Sequence, residues 1–396
     1  MANLNPSYAY YQEIFREIQK PFAFVDLDLF DANIAEIKAR AGDKHIRVAS
    51  KSVRCSALLK RIFAADPQFQ GIMAFYADEA VFLSQQGFDD ILIAYPYWDA
   101  GQIRAVIGEL QKGKIIASMV DCEDHVRRFS QVAADSGVEV PLCLDVDMSS
   151  DFLGLHFGVY RSSIDTVAQA RAIAEFIAAQ PDVRLDGLMG YEAQIAGVQD
   201  RSGSALMNVA VPFLKKRSIP ELSARRQAVV EALGARDLRF VNAGGTGSLE
   251  SSCEEAWVTE VTVGSGFYSP ALFDGYSQFH HHPAAVFAIE IVRQPKDGIF
   301  TALGGGYVAS GSAGKDKLPC PYLPEGMQLI ENEGTGEVQT PVIYRGPEKI
   351  SLGDPLFFRH AKAGELCERF MHLYLVTEGQ IVDTVPTYRG EGRCFM

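Results

Sequence analysis

The feature that most constrains the fold is a regular alternation between residue 22 and about residue 265. Short apolar runs, rich in β-branched residues, are separated by longer amphipathic stretches. The predicted strands are FAFVD (22–26), IRVAS (46–50), GIMAF (71–75), DILIAY (90–95), KIIASMVD (114–121), EVPLCLDVD (139–147), VRLDGLMGY (183–191) and LRFVNAGG (238–245). Continuous apolar strands, each followed by a helix, are typical of a parallel sheet covered by helices, and about 250 residues is the usual length of a closed barrel. We therefore predict an α/β fold that begins with a (β/α)8 TIM barrel.

An open, doubly wound sheet is the alternative. It is less favoured because the runs are evenly spaced and no GxGxxG follows the first of them. That first run is followed by DLDLFDAN, in which Leu27, Phe30, Ile34 and Ile37 recur at helical spacing. The pattern predicts a helix with Asp28 as its N-cap.

Beyond residue 280 the helical periodicity disappears. The strand-like runs there are FAIEIV, GIFTAL, TPVIYR, HLYLVT and QIVDTVP. The segment 303–326 is so rich in Gly and Pro that we predict a long loop. The chain should therefore divide into a barrel (20–275) and a C-terminal β domain (276–396), which the N-terminal segment 1–19 joins.

Composition narrows the function. The 396 residues include 37 Lys and Arg against 50 Asp and Glu, a formal net charge of −13. This balance argues against binding to nucleic acid or to anionic lipid, so we expect small-molecule partners. Seven scattered cysteines without a CxxC spacing indicate a reducing compartment, and no signal peptide or apolar run of ~18–20 residues is present. We expect a cytoplasmic protein.

Lys51 is the most informative residue. It follows directly on an apolar strand, in VASKSVRC, at the end of a barrel where active sites are built. A partly desolvated lysine there is suited to Schiff-base chemistry, whereas a lysine that extends to solvent is the structural alternative.

Two glycine-rich turns follow late strands. They are NAGGTGS (242–248) and TVGSGFYSP (262–270). Glycines let backbone N–H groups converge on an anion, and barrels commonly bind phosphate in the loops after strands seven and eight. An early lysine and a late phosphate site together suggest pyridoxal 5′-phosphate, which carries an aldehyde and a phosphate.

At this point the sequence resembles a known family. The order of barrel and β domain, Lys51, DVDMSSDFLGLHFGV, GLMGYEAQIAG, NAGGTGS and FRHAKAGELCERF together resemble the fold-type III pyridoxal phosphate enzymes. The chain is most similar to the D-threonine aldolase and D-serine dehydratase group, within the alanine racemase N-terminal domain family. The resemblance covers nearly the whole chain.

The resemblance implies an alanine racemase-like fold, a homodimer and a set of site residues. Lys51 would form the Schiff base, Tyr191 and Gln194 would face the pyridine ring, and Arg54 would be a second basic residue near the cofactor. The residues implied for the phosphate are Gly244, Gly245, Thr246, Gly247, Gly264 and Ser265.

Two departures from the family pattern affect the mechanism. The aldolases have a histidine two residues after the lysine, where this chain has Val53. Family members hold a divalent metal ion through a C-terminal His-x-Cys or His-x-Asp pair, whereas this chain has His360 followed by Lys362. A metal site would then need His360 and Cys367 to converge across a turn, and a thiolate ligand would favour zinc.

We therefore predict a pyridoxal phosphate-dependent lyase that acts on a D- or 3-hydroxy-amino acid, by aldol cleavage or by dehydration and deamination. Three alternatives stay open: a non-catalytic cofactor-binding protein, an amino acid racemase on the same fold, and a cofactor-free Schiff-base aldolase.

Overall fold

A computed structural model of the chain describes residues 4–201, 204–234, 238–362 and 364–395. The helices are α1 Tyr8–Ile14, α2 Leu27–Ala41, α3 Ser56–Ala65, α4 Ala77–Gln85, α5 Ala100–Leu110, α6 Glu123–Ala133, α7 Val167–Ala178, α8 Ala193–Ala196, α9 Met207–Leu233 and α10 Leu249–Cys253. The strands up to the end of the barrel are β1 Phe22–Asp26, β2 His45–Ala49, β3 Phe69–Ala74, β4 Ile91–Ile93, β5 Ile116–Val120, β6 Val140–Asp145, β7 Ser150–Phe152, β8 Leu155–Phe157, β9 Val183–Gly190, β10 Phe240–Ala243 and β11 Glu260–Val263. The later strands are β12 Ala285–Lys296, β13 Ile299–Leu303, β14 Cys320–Leu323, β15 Met327–Leu329, β16 Gln339–Tyr344, β17 Pro355–Arg359, β18 His372–Thr377 and β19 Gln380–Pro386.

Eight parallel strands close into the predicted barrel, in the order β10-β11-β2-β3-β4-β5-β6-β9. Most of their residues are buried on both faces, as expected for strands that have helices outside and packed side chains inside. The barrel interior contains an apolar layer of its own, formed by Leu92, Ala117, Met119, Cys143, Met189 and Phe240. Phe240 lies so close to Gly187 that a Cβ there would come within 2.3 Å of its ring. The interior is therefore a packed core.

One strand prediction was wrong about its sheet. β1 is a strand, but it pairs antiparallel with β12 and parallel with β18, outside the barrel. Its rings contact the N-terminal helix, where Tyr11 lies 4.7 Å from Phe24 and Phe15 lies 4.5 Å from Phe22, between ring centroids. The eighth barrel strand is β11, and Lys51 consequently follows the first barrel strand of the chain.

The C-terminal part forms a mixed sheet. It runs β15-β16-β13-β12-β1-β18-β19, and β17 pairs with β12 and β14. The five predicted runs are confirmed as β12, β13, β16, β18 and β19. The predicted loop 303–326 contains β14, an edge strand whose Pro321 lacks an N–H to donate.

The first barrel helix has a different cap from the predicted one. Asp26, and not Asp28, is the N-cap of α2, and its Oδ1 accepts from the N–H groups of Asp28 (3.0 Å) and Leu29 (3.3 Å). The chain passes from β1 into α2 without a loop, so the last strand residue caps the helix. Tyr11 also donates its hydroxyl to Asp26 Oδ2 at 2.9 Å. No helix in the described residues is long and apolar enough to cross a bilayer.

Replacing Asp26 by Ala should lower the free energy of unfolding by about 1–3 kcal/mol, because the cap is lost and the Tyr11 hydroxyl loses its acceptor. Urea unfolding measures the change. Asp26→Asn retains one side-chain oxygen and should lose less. An Asp26→Ala protein as stable as the wild type would contradict this role.

Candidate active site

A cavity of about 640 Å³ opens at the carboxyl ends of the barrel strands. Each of the eight strands contributes a residue at or just beyond its end. In barrel order from β2 these residues are Lys51, Phe75, Tyr95, Asp121, Asp145, Tyr191, Gly245 and Gly264. This is the end of a barrel at which side chains from many turns can act on one ligand.

Lys51 lies on a short 3-10 turn, Ser50–Ser52, directly after β2. Its side chain is half-buried and lines the cavity. A hydrogen bond ties this turn to the neighbouring strand β3, because the Ser50 hydroxyl donates to the carbonyl of Met73 at 3.0 Å. An amine held at the wall of this cavity is suited to covalent bond formation with a carbonyl group.

The two glycine-rich loops meet beside the short turn that carries Lys51. Gly244, Gly245, Thr246, Gly264 and Ser265 line the cavity, and the hydroxyls of Ser52 and Ser265 lie 3.2 Å apart. The Gly266 N–H donates to the Thr246 hydroxyl at 3.1 Å, which links one loop to the other. The result is a cavity wall of backbone and small hydroxyls.

Close packing explains three of the glycines that were predicted for the phosphate site. A Cβ on Gly245 would lie 2.8 Å from the Cβ of Ala196, and one on Gly264 would lie 2.8 Å from the Cβ of Ala49. Gly247 does not line the cavity, because it packs against Tyr276 and the carbonyl of Ala196. A bulky substitution at any of the three would therefore also strain the fold.

Of the other three predicted cofactor residues, one lines the cavity and two lie behind its wall. Tyr191 lines the cavity, whereas Arg54 and Gln194 do not. Gln194 is buried and donates its amide to the carbonyl of Met148. Arg54 is buried behind the wall, with its guanidinium carbon 5.3 Å from the centroid of the Phe75 ring.

Sequence reasoning missed several charged residues of the cavity. Arg161 lies beyond the β7–β8 hairpin, and its guanidinium carbon is 5.7 Å from the centroid of the Tyr95 ring and 5.8 Å from that of Tyr191. Nothing local in the sequence indicates this contact. Asp121 and Asp145 could have been found, because each is at or just beyond the end of a strand, as Lys51 is.

The carboxyl groups differ in charge state. Burial, together with the neighbouring carboxylates of Asp121 and Asp147, raises the pKa of Asp145 to about 7, although Arg161 opposes the shift. The imidazole of His125, whose Nδ1 lies 2.8 Å from Asp121 Oδ1, lowers the pKa of Asp121. Asp145 thus titrates near neutral pH, whereas the lowered pKa of Asp121 favours its ionised form.

Comparison with known proteins agrees with this geometry. Residues 25–270 match the family model described as alanine racemase, N-terminal domain, which is more than half of the chain. The chain belongs to this family. The predicted resemblance is thereby confirmed, and so is the combination of a closed barrel with a C-terminal sheet.

Named relatives of this alanine racemase family member are distant. A D-threonine aldolase from Arthrobacter sp. is 24% identical over 279 residues, 67% of this chain and 66% of the aldolase, so the match spans just under two thirds of that relative. The crystal structure of D-threonine aldolase from Filomicrobium marinum is 16% identical, with a TM-score of 0.78 and coverage of 94% of this chain and 96% of that one. D-threo-3-hydroxyaspartate dehydratase from Delftia sp. HT23 is 18% identical, with a TM-score of 0.75 and coverage of 94% and 98%. At these identities the two structures show a shared fold.

The predicted metal residues lie outside the cavity. His360 is fully buried, with its ring edge-on to Tyr268 at 6.1 Å between centroids. The Cys367 thiol donates to the carbonyl of Val53 at 3.3 Å, and burial raises its pKa. Lys362, in contrast, lines the cavity. Residue 363 lies outside the described residues.

These placements do not fit a metal ion held by His360 and Cys367. The thiol is buried and donates its proton to a backbone carbonyl, whereas a metal ligand must be a thiolate. Within the described ranges, the three candidate ligands whose donor atoms converge within 4.8 Å are Asp121, Cys122 and His125, a group without either predicted residue.

Asp145→Asn should change how stability depends on pH. Because the pKa of Asp145 is raised from 3.8 to about 7, its contribution is full below about pH 4 and is lost as the pH rises to about 7. The variant, measured by urea unfolding without cofactor, should therefore gain stability relative to wild type between pH 5 and pH 7.5.

Asp66→Asn is the matched control. A hydrogen bond from Lys38 lowers the pKa of Asp66, so its contribution changes only at more acidic pH. If both variants show the same change between pH 5 and pH 7.5, the assignment of a raised pKa to Asp145 is wrong.

Proposed function

We propose that the chain is a pyridoxal phosphate-dependent lyase that acts on a D- or 3-hydroxy-amino acid. The observation that carries the proposal is that Lys51 and both glycine-rich loops line one cavity. Family membership supports it, because the resemblance that predicted this family implies the same cofactor at the same positions.

The residues present fit the cofactor. A volume of about 640 Å³ lies within the range of about 300–1,000 Å³ that is common for small-molecule sites. Ser52 and Ser265 supply hydroxyls where the two loops meet, and the glycines expose backbone to the cavity. Lys51 would hold the aldehyde end, Tyr191 would lie along the ring, and the loops would bind the phosphate.

When bound, the cofactor would withdraw electrons from the bonds at the substrate Cα. The chain's own residues would then bind the substrate and move protons. The Lys51 amine, once free, is suited to take a proton from the substrate. Arg161 and Lys362 give the cavity two further cations, which suit a substrate carboxylate.

The relatives named above suggest which substrate class to test first. D-threonine and D-threo-3-hydroxyaspartate both carry a hydroxyl on Cβ, so a 3-hydroxy-amino acid of D configuration is the first substrate class to test. Asp145, with a pKa of about 7, is a group that could donate a proton to a leaving hydroxyl.

A racemase is the second candidate. The alanine racemase of Clostridium difficile 630 has the same fold, with a TM-score of 0.64 over 93% of this chain at 14% identity. Chiral analysis of substrate recovered from a partial reaction distinguishes the two, because a racemase returns both enantiomers and a lyase returns keto acid or aldehyde.

A pure cofactor carrier is less favoured, since Lys362 of the C-terminal part lines the cavity.

Lys51→Ala should abolish turnover and the visible absorbance of the bound cofactor while the fold is retained. Borohydride reduction of the wild type, followed by peptide mapping, should find the pyridoxyl group on Lys51. Lys362→Ala is the control, because it removes another amine of the cavity and should leave the label on Lys51. Label on a different lysine, or on none, would contradict the proposal.

Activity should survive exhaustive chelation, because the residues at 360 and 367 do not fit a metal ion and, in the group of Asp121, Cys122 and His125, the Asp121 carboxylate already pairs with His125. Elemental analysis should find no stoichiometric metal, and Cys367→Ser should retain activity because its hydroxyl can still donate to Val53. Lys362→Ala should lose most of its turnover while the cofactor absorbance persists. Loss of activity on chelation, with recovery on addition of zinc, would refute this account.

A further inference from the structure

The turn that carries Lys51 is held by the C-terminal part of the chain. We define the Lys51 turn as residues 50–55. The Lys51 carbonyl accepts a hydrogen bond from Arg54 Nε at 2.7 Å. The Arg54 side chain also reaches Glu368, where Nη1 donates to Oε1 at 2.7 Å. One guanidinium therefore joins the backbone of Lys51 to a carboxylate 314 residues further along the chain.

The backbone of Arg54 is unusual. Its φ is +47°, in the left-handed region that a residue with a side chain seldom adopts. The strained turn directs the guanidinium back onto the Lys51 carbonyl, and the side chain is 3% exposed. Such a conformation persists only where the surroundings hold it in place.

Several bonds supply that support. The Val53 carbonyl accepts from the hydroxyl of Tyr268 at 2.8 Å and from the thiol of Cys367 at 3.3 Å. The Arg54 carbonyl accepts from the N–H of Tyr388 at 2.9 Å. The Cys55 thiol donates to the carbonyl of Pro386 at 3.4 Å.

Close packing completes the contact. A Cβ on Gly364 would lie 2.5 Å from the Lys51 carbonyl oxygen, so the chain at 364 rests directly on the turn. Glycine is the residue that permits this approach. The backbone of Lys51 is thus enclosed by its own arginine and by the segment 364–368.

We propose that Arg54 and Glu368 are positioning residues that set the direction of the Lys51 amine by fixing the backbone carbonyl of Lys51. The inference rests on the proposed role of Lys51 in holding the cofactor. It assigns Arg54 a different role from the cofactor contact that the family resemblance implies, since Arg54 does not line the cavity.

Kinetic measurements distinguish this positioning role from a general contribution to stability. Any broken buried ion pair destabilises a fold, because one charge loses its partner. A positioning role has an additional signature, since a reacting group displaced by about 1 Å can lose about 100-fold in rate. Such a loss affects kcat and the rate of covalent attachment more than it affects KM.

The test uses the holoenzyme and Arg54→Lys. Lysine retains the charge but cannot bond both the Lys51 carbonyl and Glu368 with the fixed fork of a guanidinium. We expect kcat to fall about 10- to 100-fold with KM within about threefold. Stopped-flow absorbance should show that attachment of pyridoxal phosphate to the cofactor-free variant slows by a similar factor.

Two further variants address folding. Glu368→Gln retains an oxygen that can accept from Arg54, so kcat and the attachment rate should stay within about threefold of the wild type. Glu368→Ala removes this acceptor and should reproduce the Arg54→Lys defect. The Glu368 pair keeps the inference testable if Arg54→Lys does not fold.

Arg239→Lys is the matched control. Arg239 precedes β10 at the opposite end of the barrel and pairs with Asp186 at 2.7 Å and with Asp90 at 2.6 Å. This variant should lower the melting temperature and leave kcat and the attachment rate unchanged.

The outcomes separate the two proposals. If borohydride labels a residue other than Lys51 in the wild type, the proposed function fails. If Lys51 is labelled but the Arg54 and Glu368 variants lose only melting temperature, as Arg239→Lys does, the positioning role is overturned.

Discussion

A buried ion pair joins the two strands at which the barrel closes. Arg47 on β2 donates through Nε to Glu260 Oε1 at 2.6 Å and through Nη2 to Oε2 at 2.9 Å, across the seam between the first and last barrel strands. Removing Arg47 would leave the buried Glu260 carboxylate without its cation, a loss of about 3–5 kcal/mol. Asn242 on β10 joins the pair by donating to Glu260 at 2.8 Å. The strands before Lys51 and before both glycine-rich loops therefore belong to one hydrogen-bonded network.

The cavity depends on the register that this seam sets. Val263 is paired with Val48, so the chain leaves β11 and β2 at the same height. This is why Ser265 and Ser52 lie within 3.2 Å of one another. A shift of one residue in this pairing would turn the side chains of one strand to the opposite face.

The sequence predicts features that depend on neighbouring residues better than features that depend on residues far apart in the chain. The strands, the residues that follow them and the glycine-rich turns are local features, and they indicated the barrel, Lys51 and the loops. Whether FAFVD joins the barrel or the C-terminal sheet is not local. Both sheets bury such a run completely, and the choice depends on partners such as Val286 and Tyr374 that lie far along the chain. The run EVTV of β11 was not among the eight predicted strands, because its four residues are too few to give a clear pattern.

The direction in which a side chain points is the second feature that the sequence could not predict. Arg54 and Gln194 were expected at the cofactor because of their positions in motifs, but a turn residue can face the cavity or the protein behind it. At Arg54 the left-handed backbone directs the guanidinium to the Lys51 carbonyl and to Glu368, a contact that spacing cannot reveal. His360 and Cys367 were paired because both are metal-ligand types, yet the thiol bonds the backbone of the Lys51 turn.

The C-terminal part therefore acts on the cavity in two ways. It contributes Lys362 to the cavity wall, and through Gly364, Cys367 and Glu368 it holds the turn that carries Lys51. Without the C-terminal part, the Val53 carbonyl would lack the Cys367 thiol and Arg54 would lack its ion pair with Glu368. A strained turn of this kind needs support from outside the barrel. The reactive lysine thus depends on the two parts of the chain folding together, which gives the C-terminal sheet a role in the chemistry as well as in the architecture.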